Sequence, residues 1–314
     1  QPPTSNEVSV TTMDTTSHEF SWQSWEFGEC GSSSLYDVAI IDENNIWAVG
    51  EIYMRDSLGN CDPNAYNAVH WDGQKWELKR VYYKGGFWPI RTIFAFNAND
   101  IWFSGYMRYF NGQIIELEIP DILIGWGINK LWGSSSSDLY AVGNNGNIAH
   151  WDGVKWRKIE SGTNANIVDI SGIQNSEGKH NKYCAADNLL IKIDGDNYLT
   201  SLPVEHRMFL NSVWVASNRL IYTAGNGIVL YKNESWLEIE TPNINTIYSI
   251  KGQSYNDIVG LSANHAIFHF NGYSWNSIQT GINNIYLKIQ NKKNVIATVG
   301  WQNDRAIITL LFRN

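Results

Sequence analysis

The sequence predicts an all-β fold, a closed ring of seven four-stranded antiparallel blades, and three observations predict it. A short apolar motif recurs seven times, a second motif with a hairpin turn follows it, and the first β-prone segment matches the piece missing from the last repeat. The composition agrees: of 314 residues 15 are Trp, 16 Tyr and 11 Phe, while only 17% are charged and 7 are Pro. So few charges argue against a coiled coil or a charged disordered chain, and the many rings supply a large core.

The first motif is clearest as Asn45-Ile46-Trp47-Ala48-Val49-Gly50, Asp100-Ile101-Trp102-Phe103-Ser104-Gly105 and Asp138-Leu139-Tyr140-Ala141-Val142-Gly143. It weakens to Leu220-Ile221-Tyr222-Thr223-Ala224-Gly225, Asp257-Ile258-Val259-Gly260 and Val295-Ile296-Ala297-Thr298-Val299-Gly300, and Tyr183-Cys184-Ala185-Ala186-Asp187 fills the remaining gap. The spacing averages about 42 residues, the length of one propeller blade.

The second motif is His70-Trp71-Asp72-Gly73-Gln74-Lys75-Trp76 and His150-Trp151-Asp152-Gly153-Val154-Lys155-Trp156, with degenerate copies at Tyr231–Trp236, His269–Trp275 and Lys192–Gly195. Asp-Gly or Asn-Gly between apolar runs marks a hairpin, because its two-residue turn needs positive φ at both central positions. A further β-prone run precedes each first motif: Leu35 to Ile41, Thr92 to Phe96, Lys130 to Trp132, Ile167 to Ile170, Ser212 to Val215, Thr246 to Ile250 and Tyr286 to Ile289. Each unit thus supplies four strands in meander order. The last unit stops after its third, and Phe20–Phe27 aligns with Trp71–Leu78, so the N-terminal strand is expected to complete the last blade.

These repeats resemble those of bacterial secreted seven-bladed β-propellers whose blades read D-I/L-W/Y-A-V-G … H-W-D-G-x-x-W, over roughly residues 20 to 314. The Gly-His that accompanies Trp-Asp in WD40 repeats is absent, as are the kelch Gly-Gly and the sialidase Asp-box. The resemblance implies architecture and not activity, since one fold hosts many functions. Residues 1–17 read as an extended tether and 18–314 as a single propeller. The start, Gln1-Pro2-Pro3-Thr4-Ser5 and a Ser/Thr-rich stretch, is the pattern a removed secretory signal leaves. Its sharper form places a lipid-bearing Cys before Gln1, as in surface lipoproteins; its plainer form is an ordinary secreted N-terminus. Either expects a secreted, cell-surface or periplasmic protein.

A net charge of −8, without a Lys/Arg stripe, argues against a nucleic-acid partner. No run of 18 apolar residues is present, so no transmembrane helix is expected. The His of the second motif, repeated at His70, His150 and His269, is expected to make a hydrogen bond inside its blade. No H-E-x-x-H or Cys-x-x-Cys spacing points to a zinc site. The repeated Trp25, Trp76, Trp156, Trp236 and Trp275 read as spacers between blades.

Function is sought where the repeat fails, on the face that carries the loops between second and third strands and between blades. There residues 51–68 form an insertion containing Tyr53, Arg55 and Tyr66, beside a connection with Tyr82, Tyr83, Phe87 and Trp88. Tyr106, Arg108, Trp126, His206, Arg207, Trp301 and Arg305 are assigned to the same face. Such rings and cations either bind a partner or pack on one another. Cys30 and Cys61, both on this face, are expected to form a disulfide, and Cys184 to be a core residue. Asp56, Asn60, Asp62 and Asn64 offer oxygens of the kind Ca²⁺ takes, but lack the EF-hand order, so calcium is the one cofactor candidate against none.

Three functions follow in order. The first is a non-enzymatic interaction module of the bacterial cell envelope, holding another envelope or outer-membrane protein. The second is a carbohydrate-binding propeller, and the third a glycoside hydrolase or lyase, for which only carboxylates such as Glu205 and Asp304 stand in view.

Overall fold

The structure, a computed structural model, describes residues 14–86, 88–104, 107–118, 121–195, 197, 199–204, 209–241, 246–263, 266–281 and 284–314. Its strands form seven four-stranded antiparallel sheets. In blade 1 the order from the axis outward is Ser34–Asp42, Asn45–Ile52, Tyr66–Trp71 and Trp76–Lys79. The first strands of successive blades touch one another around the ring, that of blade 7 against that of blade 1. Blade 7 takes Ile285–Lys292, Val295–Gln302 and Arg305–Arg313 from the C-terminus and Phe20–Phe27 from the N-terminus, the last paired from Phe20↔Arg313 to Phe27↔Ala306. The fold is thus the seven-bladed propeller the repeats predict, closed by both ends of the chain. Among the described residues no helix is long and apolar enough to cross a membrane.

Physical roles explain the motif residues. The Gly that ends the first motif lies so close to the inner strand that a Cβ would sit 2.0 Å from the Ser34 carbonyl at Gly50, 2.1 Å from that of Gly127 at Gly143 and 1.8 Å from that of Ile285 at Gly300. In the second motif Asp72 Oδ1 accepts from the Gln74 and Lys75 amides, both at 2.9 Å, and Asp152 and Asn271 repeat the turn. The Trp before that Asp donates its indole N–H to the hairpin between first and second strands, Trp71 to Glu43 O and Trp151 to Ser136 O. His70, His150 and His269 bond through Nε2 to Asn45, Asp138 and Asp257, the residues that open the first motif. For Asp138, burial would raise the carboxyl, but His150 and Ser134 outweigh it and hold it down at about 2.

The apolar core is divided into seven clusters, each shared by two neighbouring blades. The repeated Trp residues belong there: Trp25 of blade 7 lies 5.3 Å from Trp71 and 5.9 Å from Trp76 of blade 1, and Trp102 of blade 2 lies 6.3 Å from Trp156 of blade 3. Cys184 is fully buried, which pushes its thiol pKa up.

Around the axis runs a belt of polar residues. In five blades the inner strand slips register near its start, and the residue after the slip is Asp37, Lys130, Asp169, Ser249 or Lys288. The Lys130 ammonium of blade 3 donates to both oxygens of Asp37 of blade 1 at 2.7 Å, and Thr92 of blade 2 donates to Asp37 Oδ2. Blades 4 to 6 repeat the arrangement, with Lys251 and Ser212 donating to Asp169 Oδ2 at 2.8 and 2.6 Å. Burial alone would raise the Asp169 carboxyl, but the charges of Lys251, Lys288 and Lys130 hold it down at about 2.

The end of the expected tether is docked. Thr16 N donates to Asn271 O at 3.1 Å, and His18 Nδ1 meets His269 Nδ1 at 2.8 Å beside Asp257 and Arg313. Burial, then the charges of His269 and Arg313, lower the His18 pKa below 6.5, with Glu19 acting in the opposite sense. A depressed histidine pKa contributes stability that is present above the unfolded value and is lost as pH falls through the folded one. Amides of residues 14–19 are therefore expected to lose protection against hydrogen exchange as pH drops from 7 to 5, by about fivefold or more, and His18→Gln to flatten that dependence. A profile as steep in the variant as in the native protein would refute the assignment.

Candidate functional site

Two adjoining cavities form a groove between blades 7 and 1 on the insertion face. One, of about 550 Å³, is lined by Gly28–Ser32 and Asn303–Arg305, and the other, of about 280 Å³, by Ser32–Ser34, Tyr36, Glu51, Leu287, Trp301 and Asp304. The hairpin of blade 7 supplies Trp301, 38% exposed. The inner and second strands of blade 1 supply Tyr36 and Glu51, and the inner-strand bulge between Leu35 and Asp37 turns Tyr36 out of the paired register.

Glu51 is the polar centre. Its carboxylate accepts from the Tyr36 hydroxyl through one oxygen and from the Tyr53 hydroxyl, at 3.0 Å, through the other. Burial and the Glu51 carboxylate push the Tyr36 phenol up to about 12. The guanidinium of Arg91, from the start of blade 2, stacks over the Tyr36 ring at 4.1 Å. Ser34 adds a buried hydroxyl with no partner among the described residues. On the other wall Arg305 donates to Gly28 O at 3.1 Å and pairs with Glu26, while Asp304 accepts from Ser32 at 3.0 Å. The groove thus offers a half-exposed indole, an aromatic ring backed by a cation, and a carboxylate fixed by two hydroxyls.

Of the sequence-assigned residues, Tyr53, Trp301 and Arg305 meet at this groove. Arg55 lies at its edge, its amide donating to Glu29 Oε2 at 3.1 Å and its guanidinium to Gly59 O. Tyr82 and Trp88 form a second exposed feature, 48% and 66% accessible, on the connection that Asn67 staples by bonds to Val81 and Trp88 O. Tyr66 is covered by the Arg80 guanidinium at 4.0 Å, Tyr83 packs into the core between blades 1 and 2, and Trp126 packs into the core between blades 2 and 3. Phe87, Tyr106, His206 and Arg207 lie outside the described residues, as does Glu205.

Arg108 is placed differently from its assignment. It sits in the third strand of blade 2, opposite Trp102, where other blades carry the motif His, and its guanidinium pairs with Asp100 at 2.6 Å. Its role is a blade-internal ion pair, because Asn111-Gly112 is the turn of a degenerate second motif.

Among the described residues no group of three or more His, Cys, Asp or Glu side chains is placed to hold a metal. Asp56 caps its own turn by accepting from the Leu58 and Asn60 amides. Asp62 accepts from the Asn64 amide and pairs with Arg80 at 2.6 Å, so a cationic side chain already occupies one of its oxygens. Cys30 and Cys61 are free thiols standing side by side. Sequence reasoning missed Tyr36, Glu51 and Arg91; their only sequence signal is position, near the start of blade 1's first strand, the end of its second, and just before the first strand of blade 2.

Fold and groove together define a seven-bladed propeller with a recess on its loop face. No family model and no curated protein sequence matches the chain. Solved structures do. "YCF48 bound to D1 peptide" superposes with a TM-score of 0.71 at 13% identity, covering 96% of this chain and 100% of that one. Virginiamycin B lyase from Staphylococcus aureus follows with 0.69 at 14%, covering 94% and 99%. The WD40 propeller domain of Doa1 gives 0.69 at 13%, covering 94% and 98%. At such identity these likenesses establish the fold alone.

Proposed function

We propose that the protein is a non-enzymatic binding module that holds a segment of another protein in the groove between blades 7 and 1, and that it serves as a scaffold at the bacterial cell envelope. The observation that carries this is the groove itself: two contiguous cavities beside an exposed Trp301, with Tyr36, Arg91 and Glu51 fixed in place before any ligand arrives. Trp, Tyr and Arg at the centre of a recess are the residues that dominate protein interfaces, and side chains already locked lose little entropy on binding. A propeller of the same architecture has been solved with a peptide bound.

Catalysis fits the groove less well. Glu51 is held by hydrogen bonds from two tyrosines and Asp304 by one from Ser32, and the Tyr36 phenol, pushed up to about 12, lies far from the working pH a general base needs. The envelope location is proposed from the resemblance of the blade repeats to those of bacterial secreted propellers. One observation favours a second reading, glycan binding: Tyr82 and Trp88 are exposed on one connection, as sugar-stacking platforms are.

The test compares partners recovered from the native source by native protein, Trp301→Ala and the pair Tyr82→Ala/Trp88→Ala. An envelope protein bound by the native chain should lose about thirtyfold or more in affinity with Trp301→Ala, the usual loss at an interface anchor. Polysaccharide binding abolished by the Tyr82/Trp88 pair but indifferent to Trp301 would replace the first reading with the second.

A further inference from the structure

The insertion carries chemistry that groove binding does not use. Cys30 lies three residues past the ring-closing strand and lines the larger cavity. Cys61 lies exposed on the returning limb of the insertion, in an isolated antiparallel bridge with Arg55. Backbone holds the two together: the Glu29 and Cys30 amides donate to Tyr53 O at 2.8 and 3.3 Å. The Met54 carbonyl then accepts from both sides, from the Cys30 thiol at 3.3 Å and from the Asp62 amide at 2.9 Å. A hydrogen bond between the thiols, and then burial, raise the Cys30 pKa.

From this geometry we propose that Cys30 and Cys61 are a thiol–disulfide site that latches the insertion to the groove rim. The step balances with a small-molecule disulfide as oxidant. The exposed Cys61, as thiolate, attacks one sulfur of RSSR, forming Cys61–S–S–R and releasing RS⁻. Cys30 then loses its proton to water and attacks Cys61 Sγ, expelling the second RS⁻, so that two thiols are oxidised and one disulfide is reduced to two thiols. The closed bond ties the insertion to the chain leaving blade 7, at the larger cavity's Cys30 wall. In the thiol state the tip hangs on few contacts: Asp56 and Asn60 bond to each other, Arg55 bonds to Gly59 O, and Leu58 is exposed. The latch would therefore set how rigid that wall of the groove is.

The test titrates the reduced full chain with glutathione disulfide and follows intact mass, peptide mapping and hydrogen exchange. The expected result is loss of two hydrogens, a peptide joining Cys30 to Cys61 with Cys184 untouched, reversal by dithiothreitol, and exchange in 55–62 slowed about tenfold. Cys30→Ser should keep the native melting temperature of the reduced form and trap glutathione on Cys61. A glutathione adduct that persists on Cys61 in the native chain would overturn the site. A disulfide that forms without slowing exchange in 55–62 would overturn the latch. Partner binding by the reduced protein with and without Trp301→Ala reports separately on the groove.

Discussion

Deleting residues 14–27 is expected to abolish the cooperative unfolding transition and leave an aggregating chain. Among the described residues the strand Phe20–Phe27 is the only hydrogen-bonded neighbour of Arg305–Arg313 on its outer side, so its loss exposes a nine-residue strand edge. An unpaired edge of that length is a template for intermolecular pairing. Side chains are lost as well: Ser24 bonds to Thr309 at 2.6 Å, Glu26 pairs with Arg305, Phe20 is buried in the core between blades 6 and 7, and Trp25 packs on Trp71 and Trp76 of blade 1. Blade 7 would then meet blade 1 without the ring that fills the widening gap. Trp25→Ala alone should cost about 2 kcal/mol, at the low end for large-to-small changes because the ring is partly exposed. Calorimetry decides it: a single sharp endotherm from the truncated chain would show that the other blades close the ring without this strand.

That strand was legible because its Trp falls in register with a repeated one, and the same logic explains what else the sequence revealed. The turn Asp, the Trp that caps the hairpin, the His partner and the Gly under the inner strand recur because each solves the same local problem in the blades that carry it. Local problems leave periodic marks. The third strand of blade 2 escaped because Arg108 had replaced the His and kept its ion-pair role. The groove escaped for a different reason. Tyr36 and Glu51 meet only because a bulge shifts the register of two strands, and Arg91 reaches Tyr36 from the next blade. The expectation that loop aromatics gather at one site failed in part for a simple energetic reason. Tyr83 and Trp126 could bury themselves in neighbouring cores, and burial of a large ring is worth a few kcal/mol.

The axial ion pairs were hidden for the same reason as the groove, since their partners lie 82 and 93 residues apart, and they set the second large expectation. Asp169→Ala is expected to destabilise by about 3–5 kcal/mol, the range for breaking a buried pair. The carboxylate is 1% exposed and serves four donors, Lys251, Ser212 Oγ and the Val213 and Ile170 amides. Removing it strands the Lys251 ammonium near Lys130 and Lys288, whose charges already disfavour its protonated form. Lys251→Met should cost less, because Asp169 keeps three donors. The double variant Asp169→Leu/Lys251→Met should recover much of the loss, because no buried charge is left alone. A double-mutant cycle of Asp169→Leu, Lys251→Met and their combination, followed by thermal or denaturant unfolding, measures the coupling. Equal and additive losses would mean that the pair contributes packing and no electrostatic tie. The loss has a direction in the fold: Asp169 belongs to blade 4, Ser212 to blade 5 and Lys251 to blade 6, so the cluster clasps three blades as Asp37, Thr92 and Lys130 clasp the first three. Hydrogen exchange in Asp169→Ala should therefore rise first in the inner strands of blades 4 to 6. The junction of blades 7 and 1, like that of blades 3 and 4, lies outside both clasps, and there the closing of blade 7 by both ends of the chain takes their place.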